Sequence, residues 1–244
     1  MMKNISVIFL AISLFLIMGI ITIRANEIAV TNLGGEIWAK KDGSGFSPEV
    51  FKAVKAAGYL DLELQIYPFE RATMMFKYKK SACYLGGDEQ AALDYIQLKV
   101  IGSEPFRQST VYAFTLRSNA KITNVEQLSG KRIGLSRGME VELLKLPSVK
   151  PSFDIGNSAM STVQKLQAER IDVMISHYEH LSESLLAQLH YDPNVILYSN
   201  QEKLICHPSE KNQTYIEQFN KGLRIIKENG ILQRLNEKYY GRRD

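Results

Sequence analysis

The sequence has little of what marks a metalloprotein, a redox enzyme or a nucleic-acid binder. Among 244 residues there are two cysteines, four histidines and one tryptophan. The cysteines, Cys83 and Cys206, lie far apart, and no Cys-x-x-Cys spacing occurs. That excludes a thioredoxin-like motif and leaves a zinc site without its usual ligands. There is no strong surplus of either charge: 30 Lys and Arg stand against 26 Asp and Glu, a net charge of +4. No basic run is interleaved with aromatics, so a nucleic-acid partner is not expected. No nucleophile elbow or paired-acid motif appears. Beyond residue 25 there is no second long apolar run. With 45% hydrophobic and 23% charged residues, the balance is that of a globular chain, not a disordered one.

The first 25 residues differ from the rest. They carry Lys3 and Arg24 and no acid, and the 19 residues from Ile5 to Ile23 are uncharged. This pattern reads as a secretory signal, residues 1–25, with Ile23-Arg24-Ala25 as the cleavage site. The run is also long enough to span a bilayer, so an uncleaved inner-membrane anchor is the alternative. With the signal removed, 219 residues remain and the net charge falls to +2 (28 Lys and Arg against 26 Asp and Glu). Periplasmic localisation is the expectation.

Hydropathy and turn signals then give alternating strands and helices. A buried strand over 28–33 leads to Gly34-Gly35. Ser47-Pro48-Glu49 reads as a helix start, with Ser47 as cap, and Val50, Phe51, Val54 and Ala57 keep helical spacing up to Gly58. Leu62–Tyr67 alternates as a strand, Pro68 opens a second helix, and Ala82–Leu85 is a strand ended by Gly86-Gly87. A strand is expected over Thr110–Leu116, then a capping box Thr123-x-x-Glu126. Strands follow at Arg132–Ser136, Asp154–Gly156 and Ile171–Ser176. Helices are expected from Met139, over Ser158–Glu169 and over Leu181–His190. Val195–Tyr198 and Leu204–Cys206 read as two strands, and Tyr215–Glu228 and Ile231–Tyr240 as closing helices. The β-α alternation restarts near residue 117, which points to two α/β lobes.

Four segments, in this order, resemble the type 2 periplasmic solute-binding proteins of family 3, which serve amino-acid ABC transporters. They are Gly45-Phe46-Ser47-Pro48-Glu49-Val50-Phe51; Pro68-Phe69-Glu70-Arg71-Ala72; Leu128-Ser129-Gly130-Lys131-Arg132-Ile133-Gly134-Leu135 with Gly138 beyond it; and Phe219-Asn220-Lys221-Gly222-Leu223 followed by Lys227–Leu232 and Lys238-Tyr239-Tyr240-Gly241. The likeness spans residues 27–241. It implies an α/β, two-lobed type 2 fold, each lobe a mainly parallel sheet flanked by helices. Lobe 1 would be 27–113 plus 204–244, and lobe 2 would be 114–203. Two hinge strands would run through Val111–Thr115 and Leu197–Leu204. The implied function is capture of a small polar solute and its delivery to an ABC-type permease, by a monomer without cofactor. The alternatives are a stand-alone sensing module for a membrane receptor and, more remotely, an enzyme like cyclohexadienyl dehydratases, with Glu140 or Asp88 as its acid.

In such a fold the ligand lies at strand ends. The candidates in lobe 1 are Asn32, Trp38, Tyr67, Phe69, Arg71, Gly87 and Asp88. Trp38 is either a pocket wall or a core aromatic. Arg71 either forks onto a carboxylate or pairs with Glu70 or Asp88. Gly86 and Gly87 would allow close backbone approach. In lobe 2 the candidates are Arg137, Gly138 and Met139, at a strand-to-helix turn suited to an anion, and His177 and Tyr178, at the end of a buried strand. His177-x-x-His180 is also a weak metal-pair spacing, with nothing to complete it. Two departures from the family stand out. Asp88-Glu89-Gln90-Ala91-Ala92 occupies the place of the Thr-x-x-Arg that clamps a ligand carboxylate. His177 stands where an Asp usually receives the ammonium. The resemblance also brings Cys83 beside Cys206, either as two packed free thiols, the favoured expectation, or as a disulfide.

Overall fold

The computed structural model describes residues 28–32, 37–136, 152–156 and 158–241. The signal segment and the Arg137-Gly138-Met139 turn, with the helix expected there and Glu140, lie outside these residues, as does Gly34-Gly35.

Strands β1 (Ile28–Asn32), β2 (Glu63–Tyr67) and β3 (Cys83–Gly87) pair in parallel, linked by helices α1 (Phe46–Gly58) and α2 (Phe69–Lys77). Helix α3 (Glu89–Ile96) follows β3, then β4 (Ile101–Gly102) and the ten-residue β5 (Arg107–Leu116). Strands β6 (Arg132–Ser136), β7 (Ser152–Gly156) and β8 (Val173–His177) are parallel, with α4 (Ala159–Gln167) before β8. After a 3-10 turn (Tyr178–His180) come α5 (Glu183–Leu186), β9 (Leu189–His190), β10 (Tyr198–Cys206), α6 (Glu210–Glu228) and α7 (Ile231–Tyr240).

The described strands form one mixed sheet in the order β2-β1-β3-β10-β5-β8-β6-β7. Its two halves are each parallel inside and are joined by long antiparallel strands. The first part of β10 (Tyr198–Glu202) pairs with the start of β5 (Arg107–Val111), and its last part (Lys203–Cys206) pairs with β3. Meanwhile the later part of β5 pairs with β8. An irregularity between Lys203 and Leu204 separates the two duties of β10. Such a bulge bends and twists a strand locally.

Each half has its own apolar packing. In the first, α1 presents Phe46, Val50, Phe51 and Val54, and α6 presents Tyr215, Ile216, Phe219, Leu223 and Ile226 to the same core. A second cluster around Val30, Ala72, Phe76 and Tyr84 backs the other face of that sheet. In the second half, Val111, Ile133, Leu135 and Ile175 face one way, and Phe114, Met174, Val163 and Leu166 the other. The near-continuous apolar runs of β1 and β8 follow from burial on both faces.

Several expectations are corrected. Helix α1 begins at Phe46 with Gly45 before it and no side-chain cap; Ser47 sits inside the first turn, buried, its hydroxyl without a partner among the described residues. Asn124, not Thr123, caps the 3-10 turn Val125–Leu128. Gly86 and Gly87 close β3 from within the strand. Leu181–His190 is not one helix: after α5 it turns into β9, drawn into extended backbone by pairing with Thr115 and Leu116. Of the two short strands expected before and after residue 200, Tyr198 and Leu204–Cys206 fall in one continuous β10, while Val195–Leu197 lie outside any strand. Helix α6 starts at Glu210, capped by Ser209, five residues earlier than periodicity suggested. The sulfurs of Cys83 and Cys206 are bonded, so the favoured free-thiol reading is overturned. The cause is register: β3 and β10 place the two residues directly opposite each other, Cα atoms 4.0 Å apart.

Candidate functional site

α/β folds accept ligands at the C-terminal ends of their parallel strands, here the ends of β1 and β3 in the first half and of β8 in the second. Asn32 ends β1 and accepts a hydrogen bond from the Tyr84 hydroxyl at 3.0 Å. Burial pushes the Tyr84 phenol well up, so it stays a donor. Beyond the end of β3, Asp88 caps α3, its Oδ1 accepting from Ala91 N at 2.7 Å.

Trp38 lies in the loop before α1. Its carbonyl accepts from Ser47 N at 3.0 Å, which ties the loop to the helix start. The side chain is 2% exposed, and its indole N–H has no partner among the described residues. The ring stacks on Phe106 at 6.3 Å and meets the His180 ring at 5.3 Å. Thus the sequence alternatives for Trp38 merge: it is a core aromatic of the first half whose outer edge touches the second.

His177 ends β8 fully in the strand and is buried. Its ring lies 4.6 Å from that of His180. His180 Nε2 stands 3.6 Å from Glu202 Oε1 on β10. Burial drives the His180 imidazole below its usual range, against the upward pull of Glu202. Glu202 is 2% exposed, and its Oε2 has no hydrogen-bond partner among the described residues. Arg107 sits directly opposite Glu202 in the β5–β10 register, yet no ion pair forms between them. Instead the guanidinium lies 3.3 Å over the Tyr240 ring and 5.0 Å from that of Phe46, with Nη1 donating to Asn236 at 3.3 Å. Aromatic faces attract such a cation.

The remaining candidates sit apart from this cluster. Arg71 is exposed and lies over the Tyr67 ring at 4.4 Å; it forms no ion pair with Glu70 or Asp88. Phe69 stacks on Tyr95 at 5.7 Å. Gly87 packs under Ile205. Tyr178 points into a group with Tyr112 and Tyr191, where burial and crowding push the Tyr191 phenol up to about 12. So the structure brings together Trp38, His177 and His180, the last noted in the sequence only as half of a weak metal-pair spacing, and adds Phe106, Arg107 and Glu202, which sequence reasoning missed. The available signal was an acid and a base, Glu202 and Arg107, each inside a strand-like stretch. Among the described residues no group of three or more His, Cys, Asp or Glu gathers to hold a metal, and no described helix is long and apolar enough to cross a membrane.

A comparison with known protein families finds none that matches. Among curated proteins, the chain is 25% identical over 221 residues to membrane-bound lytic murein transglycosylase F of Ectopseudomonas mendocina. That match takes in 84% of this chain but only 43% of the relative, so the chain spans less than half the length of the protein it resembles. Solved structures align far more completely. A histidine kinase sensor domain with similarity to periplasmic binding proteins superposes with a TM-score of 0.71, at 15% identity, covering 89% of this chain and 96% of that one. The arginine-, lysine-, histidine-binding protein ArtJ of Geobacillus stearothermophilus gives 0.71 at 16% identity, covering 90% and 96%. The GluR0 ligand-binding core of Nostoc punctiforme, in complex with L-glutamate, gives 0.71 at 16%, covering 88% and 99%. At these identities the likeness establishes the fold alone, an α/β type 2 periplasmic-binding-protein fold.

Proposed function

We propose that the chain is a solute-binding module that captures a small polar ligand between two lobes. The observation that carries this reading is the meeting of Trp38 from one half, His177 and His180 from the other, and Glu202 from the strand that joins them. The lobes rotate about the paired segments 107–111 of β5 and 198–202 of β10. A ligand bridging both lobes shifts the open–closed equilibrium by its differential contacts. A buried disulfide agrees with an extracytoplasmic location. Binding, not catalysis, is the role proposed for it.

The ligand passes from this module to an ABC-type permease. A second reading, a sensing module that reports ligand state to a membrane receptor, is favoured by the close superposition on a histidine kinase sensor domain. A conventional α-amino acid fits poorly in either case. Helix α3 opens with Glu89-Gln90-Ala91-Ala92 and offers no arginine, and Asp88 is engaged by the helix cap.

A thermal-shift screen against amino acids, amines, organic acids, sugars and short peptides tests the reading. A ligand specific to the folded state raises the melting temperature by mass action. Capture is disproved if no small solute of any class shifts the transition. Copurification with a permease, against copurification with a receptor, separates transport from sensing.

A further inference from the structure

Glu202 is a buried carboxylate without a cation. Two lysine or arginine groups lie near enough in sequence or register to serve it, and neither does. Arg107, directly across the ladder, is turned onto Tyr240 and Phe46. Lys203, the next residue, pairs with Glu89 at 2.9 Å. Among the described residues the one basic side chain paired within 4 Å is His180, at 3.6 Å, and burial holds its imidazole toward the neutral form. One carboxylate oxygen, Oε2, is sealed from solvent with no partner among the described residues. An ionised carboxylate left in such a place is costly unless something pairs with it. The indole of Trp38, adjoining through the His180 ring, adds an aromatic wall, itself 2% exposed.

Resting on the solute-capture reading above, we propose that Glu202 is the recognition residue for an organic cation, so that the module's ligand class is a small amine or guanidine bound without need of a ligand carboxylate. The ammonium or guanidinium donates to Glu202 Oε2. The alkyl part of the ligand lies along Trp38, whose quadrupole favours the same charge. His180, with Nε2 3.6 Å from Oε1, is a positioning residue that leaves Oε2 for the ligand. This places the charge contact on the strand that joins the halves, and it explains how the cleft dispenses with an acid at the end of β8, where His177 stands. Binding a cation here neutralises the joint at the moment the halves close over it.

Calorimetry on the purified protein tests this with n-butylammonium, putrescine and agmatine, against the neutral isostere n-butanol and the anions butyrate and glutamate. The amines and agmatine are expected to bind at least tenfold more tightly than n-butanol, and butyrate not at all. Glu202→Gln keeps the shape and removes the charge. It is expected to weaken the amines at least tenfold while the ligand-free protein melts no lower than the parent. A Glu202 that serves only to hold His180 would instead lower that melting temperature and leave amine affinity unchanged, which overturns the proposal. Should Glu202→Gln not fold, the comparison of n-butylammonium with n-butanol on the parent protein decides alone. Binding of glutamate or another anion or neutral solute without the amines overturns the cation assignment but leaves solute capture standing. Silence of every solute removes both.

Discussion

Gly86 carries the indole of Trp38 against its bare Cα, at a backbone φ of +92°. Both facts demand glycine: the conformation lies in the region L side chains avoid, and a Cβ would run into the six-membered ring of the indole. Gly86→Ala is expected to destabilise the fold by about 2–3 kcal/mol, combining backbone strain with overpacking. Urea unfolding measures the loss. Trp38→Phe in the same background should recover part of it, because the smaller ring vacates the contact, and independent additivity of the two changes would refute the steric account.

The bond between Cys83 and Cys206 closes a loop with a sequence separation of 123. Replacing both residues by Ala is expected to cost about 2–5 kcal/mol. Both side chains are wholly buried, so thiol-specific reagent should find no free thiol in the native protein, and reduction should need denaturant as well as reductant. Stoichiometric labelling without reductant would contradict this.

Acid should weaken the fold below neutrality. Burial holds both His180 and His207 below the ordinary value of 6.5. The unfolded chain therefore binds more protons than the folded one once pH falls below 6.5. Stability from these groups is complete above that value and declines as pH drops toward the folded pKa values. The lowered carboxyls of Asp172 and Glu49 act only beneath their ordinary values of 3.8 and 4.5. A melting temperature lower at pH 5.5 than at pH 7.5 is expected. His207→Asn should flatten that slope. His207 Nε2 meets the Phe76 carbonyl at 2.7 Å, so some constant loss should accompany the flattening.

Asp88 serves as a helix cap. Asp88→Ala is expected to lose about 1 kcal/mol, and Asp88→Asn, which also caps well, to retain nearly all of it. Guanidinium unfolding of the two variants checks this. Equal losses in both would mean that the charge rather than the cap matters.

The sequence made the parallel units legible because their cores repeat at fixed periods: Val50, Phe51 and Val54 on α1, and the apolar runs of β1 and β8. What escaped was set by partners distant in sequence. Residues 198–206 alternate weakly and carry polar side chains, since the first part of that strand pairs with β5 at the joint. Leu189–His190 is extended only because Thr115 and Leu116 lie beside it. For the site, Trp38 and His177 were visible as polar or aromatic residues at strand ends. Glu202 was not, because an acid inside a weakly patterned stretch reads as a loop until the register sets it opposite Arg107. Asp88 caps α3, a role the sequence did not separate from a ligand contact because both ask for the same side chain.

The order of the chain gives the joint strands a temporal meaning. Strand β10 lies between β3 and β5, and α6 covers the core that α1 began. A ribosome making this chain thus lays down four strands of the first half, then the second half, and only afterwards the pieces that finish the first. The second half can be complete while the first still lacks its central strand, its covering helix and the partner for Cys83. During that interval the first half is an unfinished sheet with an open edge, the kind of state that aggregates or is held by a chaperone. Once β10 pairs with β3, the facing Cys83 and Cys206 thiols give up two electrons to an external oxidant and close the bond.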